Sequence, residues 1–316
     1  MMSPRMASQN FDQLAYPQLG TCYSFGATRE GAQILADLTT WFFLFDDQHD
    51  RYIIESREQE WRQLYAQLTA LARDPTKAAE SANPVPGALA DILLRTAPHF
   101  STVWWDRFAR HWANVFAGYD QEFDNRTKGQ CETIDDYVEL RRCSVAMIMW
   151  MDLVELAAQA ELPPDLHRTA EYQECIEATV DYCAWCNDLH SLAKESAAAD
   201  TSNIVTVIDD ATGCGHEAAI QEALRMMAAR VQDFLTAEAA LETTVADRLD
   251  LPLPTRQGLH RCLMGMRDWI ANMDGWHRIS DRYLGADPQA PIQAYNEDLT
   301  TADSRQTQHG VPAPHS

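Results

Sequence analysis

The sequence predicts an all-α fold, and three observations carry the prediction. Apolar residues recur three and four apart along most of the 316 residues, strand signals are nearly absent, and proline-containing polar stretches punctuate the periodic segments. "TREGAQILADLTTWFFLF" reads as a helix starting near Thr28 and running into the aspartates that follow, and "ESREQEWRQLYAQLTALA" as an amphipathic helix. "RDPTKAAESANPVPG" reads as a loop. "TVWWDRFARHWANVFAGYDQEF" places Trp105, Phe108, Trp112 and Phe116 at helical spacing, as a core-facing helix does.

Further on, "IDDYVELRRCSVAMIMWMDLVELAAQ" reads as helical with an almost wholly apolar middle. Prolines then precede a long helix in "PPDLHRTAEYQECIEATVDYCAWCNDLHSLAKESA", a start signal. "NIVTVIDDATGCG" is the one segment with strand character, although its length fits a loop between helices equally well. Two more helices are expected at about 215–241 and 255–283, joined by "RLDLPLPTR". No internal repeat or mid-chain linker divides the chain. One helical domain is therefore expected over residues 21–283, with disordered segments at 1–20 and 284–316.

Composition narrows the function. With 46% hydrophobic residues and nine tryptophans, the chain has the makings of a sizeable core. A formal net charge of −22 argues against nucleic acid or an anionic membrane as partner, and implies that an anionic substrate needs cations to approach. The N-terminus lacks an apolar signal region and no stretch is long and apolar enough for a span, so a soluble, cytoplasmic protein is expected. Eight scattered cysteines read as reduced core thiols. Cys183, Cys186 and His190 have spacings that could suggest zinc, but no second ligand pair completes the set, and packing is the better reading.

Two clusters carry chemistry. Asp46 and Asp50 are one helical turn apart and Asp47 is three residues from Asp50, so their carboxylates can converge. Such crowding is costly unless cations neutralise it, and oxygen-only ligands suit a hard ion such as Mg²⁺. Acids are frequent enough here that on the order of one such match arises by chance. The second cluster is more specific. Asn187, Ser191 and Glu195 in "NDLHSLAKE" recur every four residues and put an amide, a hydroxyl and a carboxylate on one stripe, with Lys194 beside them as a cation for a phosphate.

With these residues in view, the chain resembles the bacterial class I terpene synthases from about Gln33 to Tyr283. "DDQHD" looks like that family's DDxxD motif and "NDLHSLAKE" like its NDxxSxxKE motif. Arg141 matches the diphosphate-sensing arginine, 46 residues before Asn187, with Arg142 beside it as the alternative. Arg282 and Tyr283 in "WHRISDRY" resemble the C-terminal Arg-Tyr pair. The family often breaks its helix after the sensor with a glycine; here the run is Cys143, Ser144, Val145, Ala146.

The resemblance implies the class I isoprenoid helical bundle and three Mg²⁺ ions holding a prenyl diphosphate. By it, Asp46 and Asp50 bind two ions with Asp47 in support, and Asn187, Ser191 and Glu195 bind the third. Arg141, Lys194, Arg282 and Tyr283 would hold the diphosphate. Phe42 and Phe43, four and three residues before Asp46, would line the pocket together with Val145, Trp150 and Trp276, and a homodimer is compatible with the family. Cyclisation of an acyclic prenyl diphosphate, with farnesyl diphosphate favoured, is the activity expected. A chain-elongating prenyltransferase of the same fold and a non-enzymatic helical interaction protein are the alternatives.

Overall fold

The computed structural model describes residues 11–23, 26–80, 84–128, 133–197 and 202–283. Among them there is no strand, and no helix is long and apolar enough to cross a membrane. In chain order the principal helices are α1 (Tyr16–Thr21), α2 (Arg29–Ile54), α3 (Glu58–Arg73), α4 (Pro84–Thr96), α5 (Thr102–Lys128) and α6 (Ile134–Ser144). They continue with α7 (Met147–Ala158), α8 (Ala170–Ala197), α9 (Ile204–Thr212), α10 (His216–Ala240) and α11 (Leu253–His277).

Local chemistry starts several of these where the sequence marks a boundary. The Thr28 side chain accepts a hydrogen bond from the Gly31 N–H at 3.0 Å and so caps α2, satisfying a donor that the helix itself cannot. Thr133 caps α6 in the same way, with Asp135 and Asp136 in the first turn facing the positive end of the helix dipole. The stretch read as a loop after α3 holds a short 3₁₀ turn, Pro75–Glu80, and the start of α4 at Pro84. Proline is tolerated in a first turn because its missing N–H would have had no partner there.

α8 packs against α10 and α11, α5 against α3 and α6, and α2 against α1 and α4. The aromatic stripe of α5 is buried through Phe108, Trp112 and Phe116, but its fourth inward member is Trp104, whereas Trp105 is only partly buried. Cys175, Cys183, Cys186 and Cys262 are buried thiols.

Three expectations need correction. "NIVTVIDDATGCG" is neither strand nor loop: it holds α9. Its β-branched residues suggest a strand, yet Ile204, Val205, Val207 and Ile208 are buried at helical spacing, and Asn203 caps Val205 N–H at 2.9 Å. The segment 1–20 is not uniformly disordered. Residues 11–20 are ordered, and Gly20 lets α1 press on α2 so closely that a Cβ there would lie 2.7 Å from the Leu35 carbonyl. The same segment is tied to the other end of the domain by Trp276 Nε1 to Ala15 O and Ser280 Oγ to Leu14 O, both 2.7 Å. Residues 1–10 and the expected tail 284–316 lie outside the described residues.

The third correction matters most for the site. The apolar run after Arg141 is not one continuous helix. It breaks between α6 and α7 without a glycine, through Ala146 in the left-handed region at φ 63°. Gly118 of α5 lets the end of α6 approach closely just before the break: a Cβ on it would lie 2.8 Å from Ser144 N. A left-handed alanine costs roughly 1–2 kcal/mol, part of which glycine returns through its own greater chain entropy. Ala146 is also buried, so Ala146→Gly gives up a methyl worth about 0.8 kcal/mol while relieving the strain, and stability is expected to stay within about 1 kcal/mol of wild type, a Tm change of no more than about 2–4 °C in a thermal melt. A larger fall would show that the left-handed alanine stores no strain for glycine to relieve.

Candidate active site

Below the aspartates of α2 lies an open-mouthed cavity, about 780 Å³ when the solvent space at its mouth is counted. Its inner wall is apolar. Phe42, Phe43, Val145, Trp150 and Trp276, the residues expected there from sequence, all line it. Trp269, Met147, Met273 and Leu19 also line it, and no sequence signal separates them from ordinary helix core. Phe42 sits in an aromatic group with Trp112 and Trp150, ring centroids 5.6 and 6.4 Å away. Phe43 is sandwiched between Tyr16 at 4.4 Å and Trp276 at 5.2 Å.

The mouth is charged. Asp46 accepts from Arg282 Nη2 at 2.6 Å and from the Tyr119 hydroxyl at 3.1 Å. Asp47 turns into the protein, where it is buried and also held by Arg282, with its Oδ2 lacking any partner. Asp50 accepts from Arg126 Nη1 at 2.7 Å and lies 3.5 Å from Lys194 Nζ. Burial works against the Asp50 carboxylate, but Lys194 and Arg126 outweigh it and hold the acid below the usual carboxylate range. Asp47 shows the opposite balance: burial raises its carboxyl despite Arg282. Arg282 also lies 5.2 Å above the Phe43 ring and reaches the Tyr16 hydroxyl at 3.2 Å. The Tyr16 hydroxyl is pushed up to about 12 by burial and remains a neutral partner.

Across the mouth, Asn187, Ser191, Lys194 and Glu195 of α8 line the same cavity. Ser191 Oγ donates to the Asn187 carbonyl at 2.8 Å, which leaves its lone pairs available. Glu195 Oε2 accepts from Asn203 Nδ2 at 2.7 Å. Arg141 donates to Asn187 Oδ1 at 2.8 Å and to buried Asp188 at 3.1 Å, whereas Arg142 turns away to a two-pronged pair with Asp181 at 2.7 and 2.8 Å. Of the two arginines, Arg141 is thus the one that faces the cavity. Burial opposes its charge, yet Asp188 and neighbouring groups push its pKa well up.

Every candidate site residue lines this cavity except Asp50, which lines the adjoining pocket with Asp46, Lys194 and Glu195, and Asp47, which lies behind the mouth. Arg126, Tyr119, Tyr16, Asp188 and Asn203 join the site without having been singled out in sequence, because what marks them is a partner 8 to 266 residues away. The donor set facing the mouth is oxygen throughout, and a buried carboxylate oxygen stands unpartnered beside it. That set fits hard divalent cations such as Mg²⁺, which Asp46, Asp50, Asn187, Ser191 and Glu195 could hold. Cys186, His190 and His277 bring one donor atom each within 4.8 Å of one another. However, His190 Nε2 pairs with Asp274 at 2.9 Å and both His277 nitrogens have protein partners, so packing remains the reading of this group.

Comparison with known proteins agrees with this geometry. Residues 37–233 match the family described as terpene synthase family 2, C-terminal metal binding. The chain is 33% identical over 281 residues to epi-isozizaene synthase of Streptomyces coelicolor, covering 86% of this chain and 76% of that protein. It is 31% identical over 257 residues to a (+)-T-muurolol synthase of Roseiflexus castenholzii described as cyclising (2E,6E)-farnesyl diphosphate, covering 81% and 76%. Among solved structures, a point variant of cucumene synthase superposes with a TM-score of 0.75 at 27% identity, covering 87% of this chain and 90% of that one. The family match spans more than half of the chain and a named cyclase aligns along most of it, and on that ground this protein belongs to the class I terpene synthases.

Proposed function

We propose that this cyclase takes farnesyl diphosphate in the cytoplasm, ionises it with the help of Mg²⁺, and closes the resulting carbocation into a sesquiterpene with release of diphosphate. One observation carries the reading: Asp46 of α2 and Asn187, Ser191 and Glu195 of α8 line one cavity with an aromatic interior and a mouth bearing Arg141, Lys194, Arg282 and Tyr283, and Asp50 lines the adjoining pocket that shares Asp46, Asn187 and Glu195. The fifteen-carbon choice is supported by a relative whose name states that substrate.

In the reaction the allylic C–O bond breaks heterolytically and its electron pair leaves with the diphosphate. Bound Mg²⁺, held by Asp46 and Asp50 on one side and Asn187, Ser191 and Glu195 on the other, would supply charge neutralisation to that leaving group. Arg141, Lys194, Arg282 and Tyr283 line the same cavity, where they would donate hydrogen bonds to the diphosphate and stabilise charge as it develops. Asp47 serves by anchoring Arg282 from behind. The cation left in the cavity meets an aromatic wall of Phe42, Phe43, Trp150 and Trp276, which attracts it and excludes water. Loss of a proton or capture of water ends the sequence.

Asp46→Asn and Glu195→Gln should each reduce diphosphate release by about 100-fold or more while leaving the helical circular dichroism and melting curve near wild type. Excess chelator should abolish turnover of the wild type and added Mg²⁺ restore it. Ordinary rates in both variants would dispose of the metal assignment, and loss of fold would make the carboxylate structural.

The two phenylalanines should separate. Phe42→Leu removes a π face worth about 0.5–2 kcal/mol to a nearby cation, enough to redistribute products severalfold with diphosphate release within about tenfold of wild type. Phe43→Leu should change products too, but it also removes the ring beneath Arg282, so diphosphate release should slow more than in Phe42→Leu. Gas chromatography alongside a diphosphate-release assay reads both effects; unchanged products from both variants would return these rings to plain core.

A further inference from the structure

We infer that His277 is a positioning residue that sets which end of the Asn187 amide faces the metal site, an inference that rests on the function proposed above. A carboxamide has an oxygen that can bind a hard cation and an NH₂ that cannot, and the two ends are nearly the same shape. Packing alone therefore does not decide the orientation; hydrogen-bond partners must.

The partners here decide it at both ends. His277 Nδ1 lies 2.7 Å from the Met273 carbonyl, one turn back on α11. A carbonyl only accepts, so Nδ1 carries the proton and Nε2 of the neutral ring offers a lone pair. That lone pair lies 3.2 Å from Asn187 Nδ2, which also donates to the Tyr283 hydroxyl at 2.8 Å. The amide oxygen then turns to Arg141 Nη2 at 2.8 Å, on the side of the cavity. A flipped amide would set its oxygen against the His277 lone pair and its NH₂ against the Arg141 guanidinium, two donor–acceptor mismatches at once.

The ring itself has little freedom. His277 is 1% exposed and stacks on His190 with centroids 4.7 Å apart and planes 11° from parallel. Tyr283 closes on it at 4.5 Å. The chain Met273 carbonyl, His277, Asn187 amide is thus a relay of orientation from the backbone of α11 to a ligand oxygen on α8. It has the form of the outer-shell contacts that orient metal ligands elsewhere, whose loss typically weakens metal binding about 10–100-fold.

The test uses Mg²⁺ with inorganic diphosphate as the probe, titrated calorimetrically into the full chain without substrate. His277→Phe keeps a flat ring and removes the acceptor, and should weaken binding of the probe by about tenfold or more. His277→Gln can present an oxygen near the Nε2 position and should recover most of the loss. His190→Phe disturbs the same stack without touching Asn187 and should bind as wild type does. Wild-type affinity in folded His277→Phe, or equal losses in His277→Phe and His190→Phe, would overturn the inference. A parallel Asp46→Asn separates the two levels of failure. If it loses the probe while His277→Phe does not, only the role of His277 falls; if the wild type itself does not bind the probe, the proposed function falls. Should His277→Phe not fold, ¹⁵N spectra of the wild-type imidazoles decide: a proton on His277 Nδ1 supports the relay, and a proton on Nε2 alone ends it.

Discussion

The structure turns on how three aspartates are allowed to crowd the inner end of one helix. Asp46, Asp47 and Asp50 project from a single stretch of α2, and like charges that close are tolerated only with cations among them. Those cations come from three different places. Arg282 arrives from the turn after α11, Arg126 from the last turn of α5, and Lys194 from α8. Each reaches α2 from another part of the chain, so the charge balance of a few residues draws on four parts of the chain.

The arrangement of the N-terminal segment follows from the same constraint. Arg282 is held against Asp46 and Asp47 by Tyr16 and by the ring of Phe43. Ser280, two residues earlier, is bonded to Leu14, and Asp281 N–H to the Gln13 carbonyl at 3.0 Å. The two ends of the described chain therefore meet beside the mouth of the cavity. A substrate's diphosphate entering there would compete with carboxylates for cations already in place, which lowers the reorganisation required when negative charge develops. Below that mouth the cavity is walled by aromatic and aliphatic side chains, among them Phe42, Trp150, Trp269 and Met273. A polar, cation-rich mouth over a dry interior is what separates the leaving group from the carbocation it leaves behind.

The break between α6 and α7 illustrates how such a site is assembled from parts that are locally unfavourable. Ala146 adopts a backbone conformation that costs an L-residue, directly after Cys143 and Ser144 have packed against Gly118 of α5. Val145 still closes the last turn of α6, its N–H bonded to the Arg141 carbonyl at 2.9 Å, so both residues reach the cavity from one helical turn. The chain turns at the next residue, Ala146, and α7 continues along the wall with Met147 and Trp150.

What the sequence determined by itself was the set of residues whose spacing is their signal. Four-residue recurrence of Asn187, Ser191 and Glu195, the aspartates one turn apart, the phenylalanines one turn before them and the helix start near Thr28 are all properties of a helix, and a helix is a local structure. The all-α class followed from the same periodicity. Tertiary structure decided everything that depends on a partner distant in sequence. It chose Arg141 over Arg142, because one meets Asp188 and Asn187 while the other meets Asp181. It brought Arg126 to Asp50 and His277 to Asn187, and made α9 a helix by capping and burying β-branched residues that read as strand. It also drew residues 11–20 into the fold through hydrogen bonds to the far end of the chain. Periodicity records which face of an element is buried; it carries no information about what lies against that face.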